Sequence, residues 1–164
     1  MTAVECVCVF SVVYAFRNNS EMGTRKKGLE FAKHISEIIA KATGFEKHLE
    51  KVKIIGGGDG VCTAEFTVDK EHLNKGGGLH GGYTATLVDM VTTYALMSKP
   101  CHPGVSVDIN VSYLKGARIG DEVVIEANTL RAGKNLAYID CVLKHKKNNA
   151  VIAKGTHTKY VNFE

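Results

Sequence analysis

Between Gly81 and Ser98 the chain reads GGYTATLVDMVTTYALMS: no proline, apolar or small residues on nearly every side, and a single formal charge, Asp89. The stretch is long for a strand, and as a helix it extends about 27 Å. A helix that is apolar all round belongs inside a protein, so the rest of the chain has to wrap it. With 164 residues, 45% of them hydrophobic, there is apolar surface for one core, and two domains would be cramped.

The flanking segments supply the wrapping. From Gly28 to Thr43, Leu29, Ala32, Ile35, Ile38, Ile39 and Ala42 recur every three or four residues, the stripe of an amphipathic helix that Gly44 stops. A strand from Val52, a turn at Gly57, Gly58 and Asp59, and a strand from Val61 to Val68 form an antiparallel hairpin. Beyond Pro103 come four Val-, Ile- and Tyr-rich stretches, Val105–Leu114, Glu122–Leu130, Leu136–Lys144 and Val151–Tyr160. The joins between them are too short for crossover helices, which predicts an antiparallel meander. In the first, Val105, Val107, Ile109, Val111 and Tyr113 alternate with Ser106, Asp108, Asn110 and Ser112. The odd set is expected against the helix and the even set free for a partner or ligand. The predicted fold class is α+β, an antiparallel sheet wrapped around a long central helix, which is the hotdog arrangement.

Residues 1–27 stand apart from the domain at 28–164. An apolar run from Val7 to Phe16 falls short of the ~20 residues that span a bilayer, so no stable membrane insertion is expected. It carries Glu5 and lacks the positive start of a signal peptide, so the segment reads as a non-core extension of unknown role. Five scattered cysteines with no CxxC pair point to neither a disulfide framework nor a zinc ribbon, and a reducing compartment is the default. No histidines stand at HxxxH spacing, so no metal is expected. The net charge of +4 suits a small anionic ligand. Without tryptophan, or basic and aromatic residues interleaved, no nucleic acid is expected.

Asp89 is where the chemistry is expected. Burial disfavours a carboxylate and raises its pKa, which fits it for general-base work; a structural Asp bonded to a neighbouring loop is the other reading. Gly76, Gly78 and Gly81 satisfy GxGxxG, yet a polar segment precedes them and an antiparallel sheet cannot provide a nucleotide-binding half. No Lys-Ser or Lys-Thr completes a P-loop. Gly81 and Gly82 instead open the helix, where unpaired N–H groups and the helix dipole can polarise a carbonyl oxygen. Asn74 offers an amide donor in the same loop and His80 an imidazole, which equally suits a cap. Gly81 and Asp89 lie about 12 Å apart along one helix and cannot flank one carbonyl. If both act on one carbonyl, they come from two subunits related by a two-fold axis, with Ser106 a candidate to place water beside Asp89.

The segments HLNKGGGLHGGYTATLVDMVTTYAL, PGVSVDINVSYLKGARIGDEV, GKNLAYIDCVL and IAKGTHTKY together resemble the hotdog-fold thioesterases of the PaaI-like group, from about Leu29 to Tyr160. The resemblance implies hydrolysis of medium- and long-chain fatty acyl-CoA to free acid and CoA, without cofactor or metal. It also implies a homodimer or homotetramer in cytosol and mitochondria. It gives Asn74 and Gly81 the thioester carbonyl, with His80 in support, and gives Asp89 and Ser106 of the facing subunit the water. CoA contacts are implied at Asp108, Tyr113, Lys115, Arg118, Arg131, Lys134, Asn135 and Tyr160. Residues 1–27 have no counterpart in the relatives.

Three alternatives stay open at the level of sequence: direct attack by Asp89, a non-catalytic acyl-CoA carrier, and hydratase or dehydratase chemistry using His80. Chain-length preference depends on how side chains such as Tyr83, Leu87 and Tyr94 fill the dimer cleft.

Overall fold

The structure, a computed structural model, describes residues 24–163, with side chains from Glu30 onward. It contains helix α1 (Thr24–Ala40), strands β1 (Lys53–Gly58) and β2 (Val61–Thr67), helix α2 (Gly81–Met97), and strands β3 (Val105–Tyr113), β4 (Glu122–Ala132), β5 (Leu136–His145) and β6 (Val151–Tyr160). All pairings are antiparallel, in one sheet of order β1-β2-β4-β5-β6-β3.

Helix α1 begins before Gly28, so Thr24–Lys27, read as part of the extension, belong to the helix, and residues 1–23 lie outside the described region. Its buried stripe is Phe31, Ala32, Ile35 and Ile39. The first hairpin turns at Asp59 and Gly60, one step later than the glycine run suggests. Both have positive φ, 51° and 88°, as a two-residue Asp-Gly hairpin loop requires.

The meander holds for β4, β5 and β6. β3 departs from it and lies at the far edge beside β6. Three strand spacings separate β3 from β4, about 14 Å. Residues 114–121 cross that distance easily at up to ~3.3 Å each, with no crossover helix. On the way the connection clips the glycine loop, through a Gly78–Arg118 bridge and Leu79 N–H donating to Ala117 O at 2.8 Å.

The inward row of each strand meets α2: Cys62, Ala64 and Phe66; Val123, Ile125 and Ala127; Ala137, Ile139, Cys141 and Leu143. Against them α2 buries Leu87, Val88, Val91, Ala95 and Leu96. Each such large side chain contributes about 1.5–3 kcal/mol. On β6 the inward row is Ala153, Gly155, His157 and Lys159, apolar at first and then basic. A Cβ on Gly155 would lie 2.5 Å from Val88 Cγ1, so only glycine lets helix and strand approach this closely.

Candidate active site

One face of α2 is left open. Gly82, Ala85, Thr86 and Asp89 recur at helical spacing and, with Ile109, Val111 and Tyr113 of β3, line a cleft of roughly 410 Å³. Asp89 is therefore less enclosed than its apolar neighbours in sequence suggest: its side chain is 39% exposed at the cleft. Burial still pushes its carboxyl up from the ordinary value. Lys159 opposes the rise and Glu46 adds to it. Leu87 and Tyr94, expected to shape the cleft, face the sheet and are buried in the protomer's own core. Tyr83 is half-buried, stacked on His72 at 4.5 Å between ring centres.

Ser106 is not on the outer face where strict alternation puts it. A β-bulge between Ser106 and Asp108 adds a residue to β3, so Ser106 opposes Lys159 while Ile109 opposes His157, both inward positions of β6. The bulge gathers Ser106, Ile109, Val111 and Tyr113 on the helix side and leaves Asp108 opposite Thr158 on the outer side.

His157 ties this corner together. It is fully buried, with Nδ1 2.6 Å from Thr92 Oγ1 and Nε2 3.0 Å from Ser106 Oγ. The Thr92 hydroxyl donates to Val88 O at 2.7 Å, so the assignment that satisfies all three groups has Nδ1–H donating to Thr92 and Nε2 accepting from Ser106 O–H. Burial, reinforced by Lys159, depresses the His157 pKa to about 4, which keeps the ring neutral at physiological pH. Asp89 Oδ1 stands 3.9 Å from the same Nε2. Asp89 and Ser106 thus converge on one imidazole edge.

The second group forms at the start of α2. Asn74 Oδ1 accepts from the N–H groups of Gly76 and Gly78 at 2.8 and 3.3 Å, which commits its oxygen to the loop and leaves the amide NH2 as the donor for a ligand. His80 is the N-cap: Nδ1 accepts from Gly82 N–H at 2.9 Å, so the proton sits on Nε2. Gly81 is the first helical residue, with no carbonyl one turn back for its N–H. Its own carbonyl accepts from Tyr113 O–H at 3.0 Å, which pins the far end of β3 to the helix start.

Within a protomer the two groups remain apart, at opposite ends of the cleft. The residues expected at CoA divide in the same way. Lys115 and Arg118 lie in the connection clipped to the glycine loop, near Tyr113. Arg131, Lys134 and Asn135 lie at the β4–β5 turn, where Asn135 O accepts from Val161 N–H at 2.9 Å and Tyr160 pairs with both Leu136 and Val105.

Thr92, His157 and Lys159 were not singled out in the sequence. A signal was present: GTHTK places two basic residues at alternate positions on a strand whose earlier inward positions are alanine and glycine. The described cysteines, Cys62, Cys101 and Cys141, are free thiols. Burial pushes Cys62 and Cys141 up to about 12, so they are unreactive as nucleophiles.

Comparison with known proteins agrees with this architecture. The family model described as thioesterase superfamily matches residues 76–152. Mouse acyl-coenzyme A thioesterase 13 is 42% identical over 130 residues, 79% of this chain and 93% of the mouse protein. The crystal structure of zebra fish thioesterase superfamily member 2 superposes with a TM-score of 0.76 at 42% identity, covering 79% of this chain and 95% of the other. A hypothetical thioesterase of Streptococcus pneumoniae TIGR4, solved with coenzyme A, superposes with a TM-score of 0.66 at 25% identity, covering 70% of this chain and 88% of the other. A helix wrapped by this sheet, with such identity along nine-tenths of a relative's length, shows that the chain belongs to the hotdog-fold thioesterase superfamily.

Proposed function

We propose that this protein hydrolyses acyl-coenzyme A thioesters, medium- and long-chain fatty acyl-CoA among them, to the free acid and CoA. The observation that carries the reading is the convergence of Asp89 and Ser106 on His157 at the edge of an open cleft. With the Ser106 proton held by His157 Nε2, the serine oxygen has lone pairs to spare, and an ionised Asp89 is an acceptor only. A water molecule that donates one proton to each turns its own lone pair outward, toward an electrophile. Asp89 takes the water proton as attack proceeds, the carbonyl oxygen takes up charge, and collapse expels the CoA thiolate.

The developing oxyanion needs donors, and those at Gly81 N–H and the Asn74 amide suit it. They belong to a second protomer. β3 is an edge strand that leaves Val105, Val107 and Tyr113 exposed at 55%, 60% and 58%, the kind of edge that pairs with another chain. Pairing two copies antiparallel about the middle of β3 sets the Tyr113 end of one, with Gly81 and Asn74, against the Ser106 end of the other, with Asp89. The same pairing draws Lys115 and Arg118 of one copy toward Arg131, Lys134, Asn135 and Tyr160 of the other, and the four cations among them suit the phosphates of CoA. His80 supports the carbonyl site by capping the helix that presents Gly81.

Thiol release from a panel of acyl-CoAs, with wild type and Asp89→Asn, tests the proposal. Loss of about 10²–10⁴-fold in kcat is expected for Asn at this position. Equal rates in the two proteins would remove Asp89 from the mechanism, and acyl-CoA binding with no thiol release from wild type would make the protein a carrier.

A further inference from the structure

The basic end of the β6 inward row contains a second group besides His157. Lys159 is only 4% exposed, a rare situation for a lysine. Its Nζ donates to Thr93 Oγ1 at 2.9 Å, and the Thr93 hydroxyl in turn donates to Asp89 O at 2.8 Å, one turn back along α2. The ammonium is thereby tied to the turn of helix that carries Asp89. Across the sheet Lys159 opposes Ser106, so it lies behind the same corner of the cleft. A methionine would fill this space without the desolvation penalty of a buried ammonium, so packing alone does not account for lysine here.

We propose that Lys159 is a positioning residue for water activation, a buried cation that holds Asp89 in its ionised, proton-accepting form. The inference rests on the hydrolytic reading of the site. A carboxylate partly removed from water tends to take up a proton, and a protonated Asp89 cannot accept one from the attacking water. The other titratable groups facing Asp89 do not counter this. His157, on β6, is neutral; Glu46, in the short turn Phe45–Leu49 after α1, repels the ionised form; and Tyr94, on the same helix, holds its phenolic proton tightly. Among the described residues, that leaves Lys159 as the cation that favours ionised Asp89. Burial draws the lysine's own pKa down and Asp89 raises it again, so each partner stabilises the charged form of the other. His102, in the loop before β3, also feels the Lys159 charge and is pushed further toward neutrality.

The test titrates the carboxyl directly. The full-length protein, labelled with 13C at the aspartate side-chain carboxyl, is followed by NMR against pH as wild type, Lys159→Met and Lys159→Arg. The Asp89 signal is identified by its absence from Asp89→Asn. In Lys159→Met the Asp89 midpoint is expected to rise by about one pH unit or more, with Lys159→Arg close to wild type. The acidic limb of kcat/KM for thiol release should move upward by the same amount, with activity recovered above it. Thr93→Val keeps the lysine but frees it from the Asp89 turn, and a smaller upward shift is expected; it also serves if Lys159→Met does not fold. A midpoint unchanged in these variants, whatever happens to melting temperature, overturns the role given to Lys159. A shifted midpoint in a protein whose wild type releases no thiol instead overturns the hydrolytic reading on which the inference rests.

Discussion

His157 illustrates how one buried side chain can organise polar groups that lie far apart in sequence. It accepts from Ser106 on β3, donates to Thr92 on α2, and keeps its proton on Nδ1 because the threonine hydroxyl is already committed to a backbone carbonyl. Burial drops its pKa from 6.5 to about 4, and this has a consequence for stability. Between those pH values the unfolded chain binds a proton that the folded protein refuses. The contribution of His157 to stability is therefore full above pH ~6.5 and falls by up to about 3 kcal/mol as the pH approaches 4. Urea denaturation across this range should show that loss in wild type and a much flatter profile in His157→Gln, where no proton can bind. An equally steep profile in the variant would assign the acid sensitivity to other groups. Asp89 was legible in the sequence as a lone charge in an apolar helix. Its basic neighbours were not, because they become its neighbours only when β6 packs against α2.

At the scale of elements, the close approach of α2 to β6 depends on the absence of a side chain at Gly155. An added methyl would meet Val88 Cγ1 and Cγ2 at 2.5 and 2.9 Å, and a branched valine held against the sheet has little room to turn away. Gly155→Ala should cost about 1–3 kcal/mol in urea unfolding, and adding Val88→Ala should restore much of it. The helices and strands themselves were readable because burial imposes its period on the sequence, 3.6 in α1 and two in β4 to β6. What escaped were features that break a period or depend on distant pairing. The bulge at Val107 moves Ser106 to the helix side and turns Val105 to the outer side, although the valines alternate regularly in the sequence. The hairpin turn at Asp59 and Gly60 was obscured by three glycines before it, although Asp-Gly is itself a strong turn signal. The place of β3 was hidden because the short β3–β4 connection argued for adjacent strands, while an extended chain of that length spans three strand spacings and passes β5 and β6.

At the scale of the molecule, a single protomer contains both halves of the proposed chemistry and cannot use them together. Gly81 and Asp89 share one rigid helix and stay about 12 Å apart whatever the cleft does. In the proposed dimer a second copy across the β3 edge removes the difficulty, since the strand runs from the Asp89–Ser106 corner, proposed to activate water, to the Gly81–Asn74 loop, proposed to bind the carbonyl. The separation also makes the account testable by mixing defects. Asn74→Ala damages only the carbonyl half and Asp89→Asn only the water half, so each homodimer should be nearly inactive in thiol release. Co-expressed and purified as a mixture, the two variants should recover about a quarter of wild-type kcat, because half of the dimers are mixed and each mixed dimer has one intact site. Activity no higher than that of the separate variants, from a mixture proven to contain mixed dimers, would contradict a site shared between protomers.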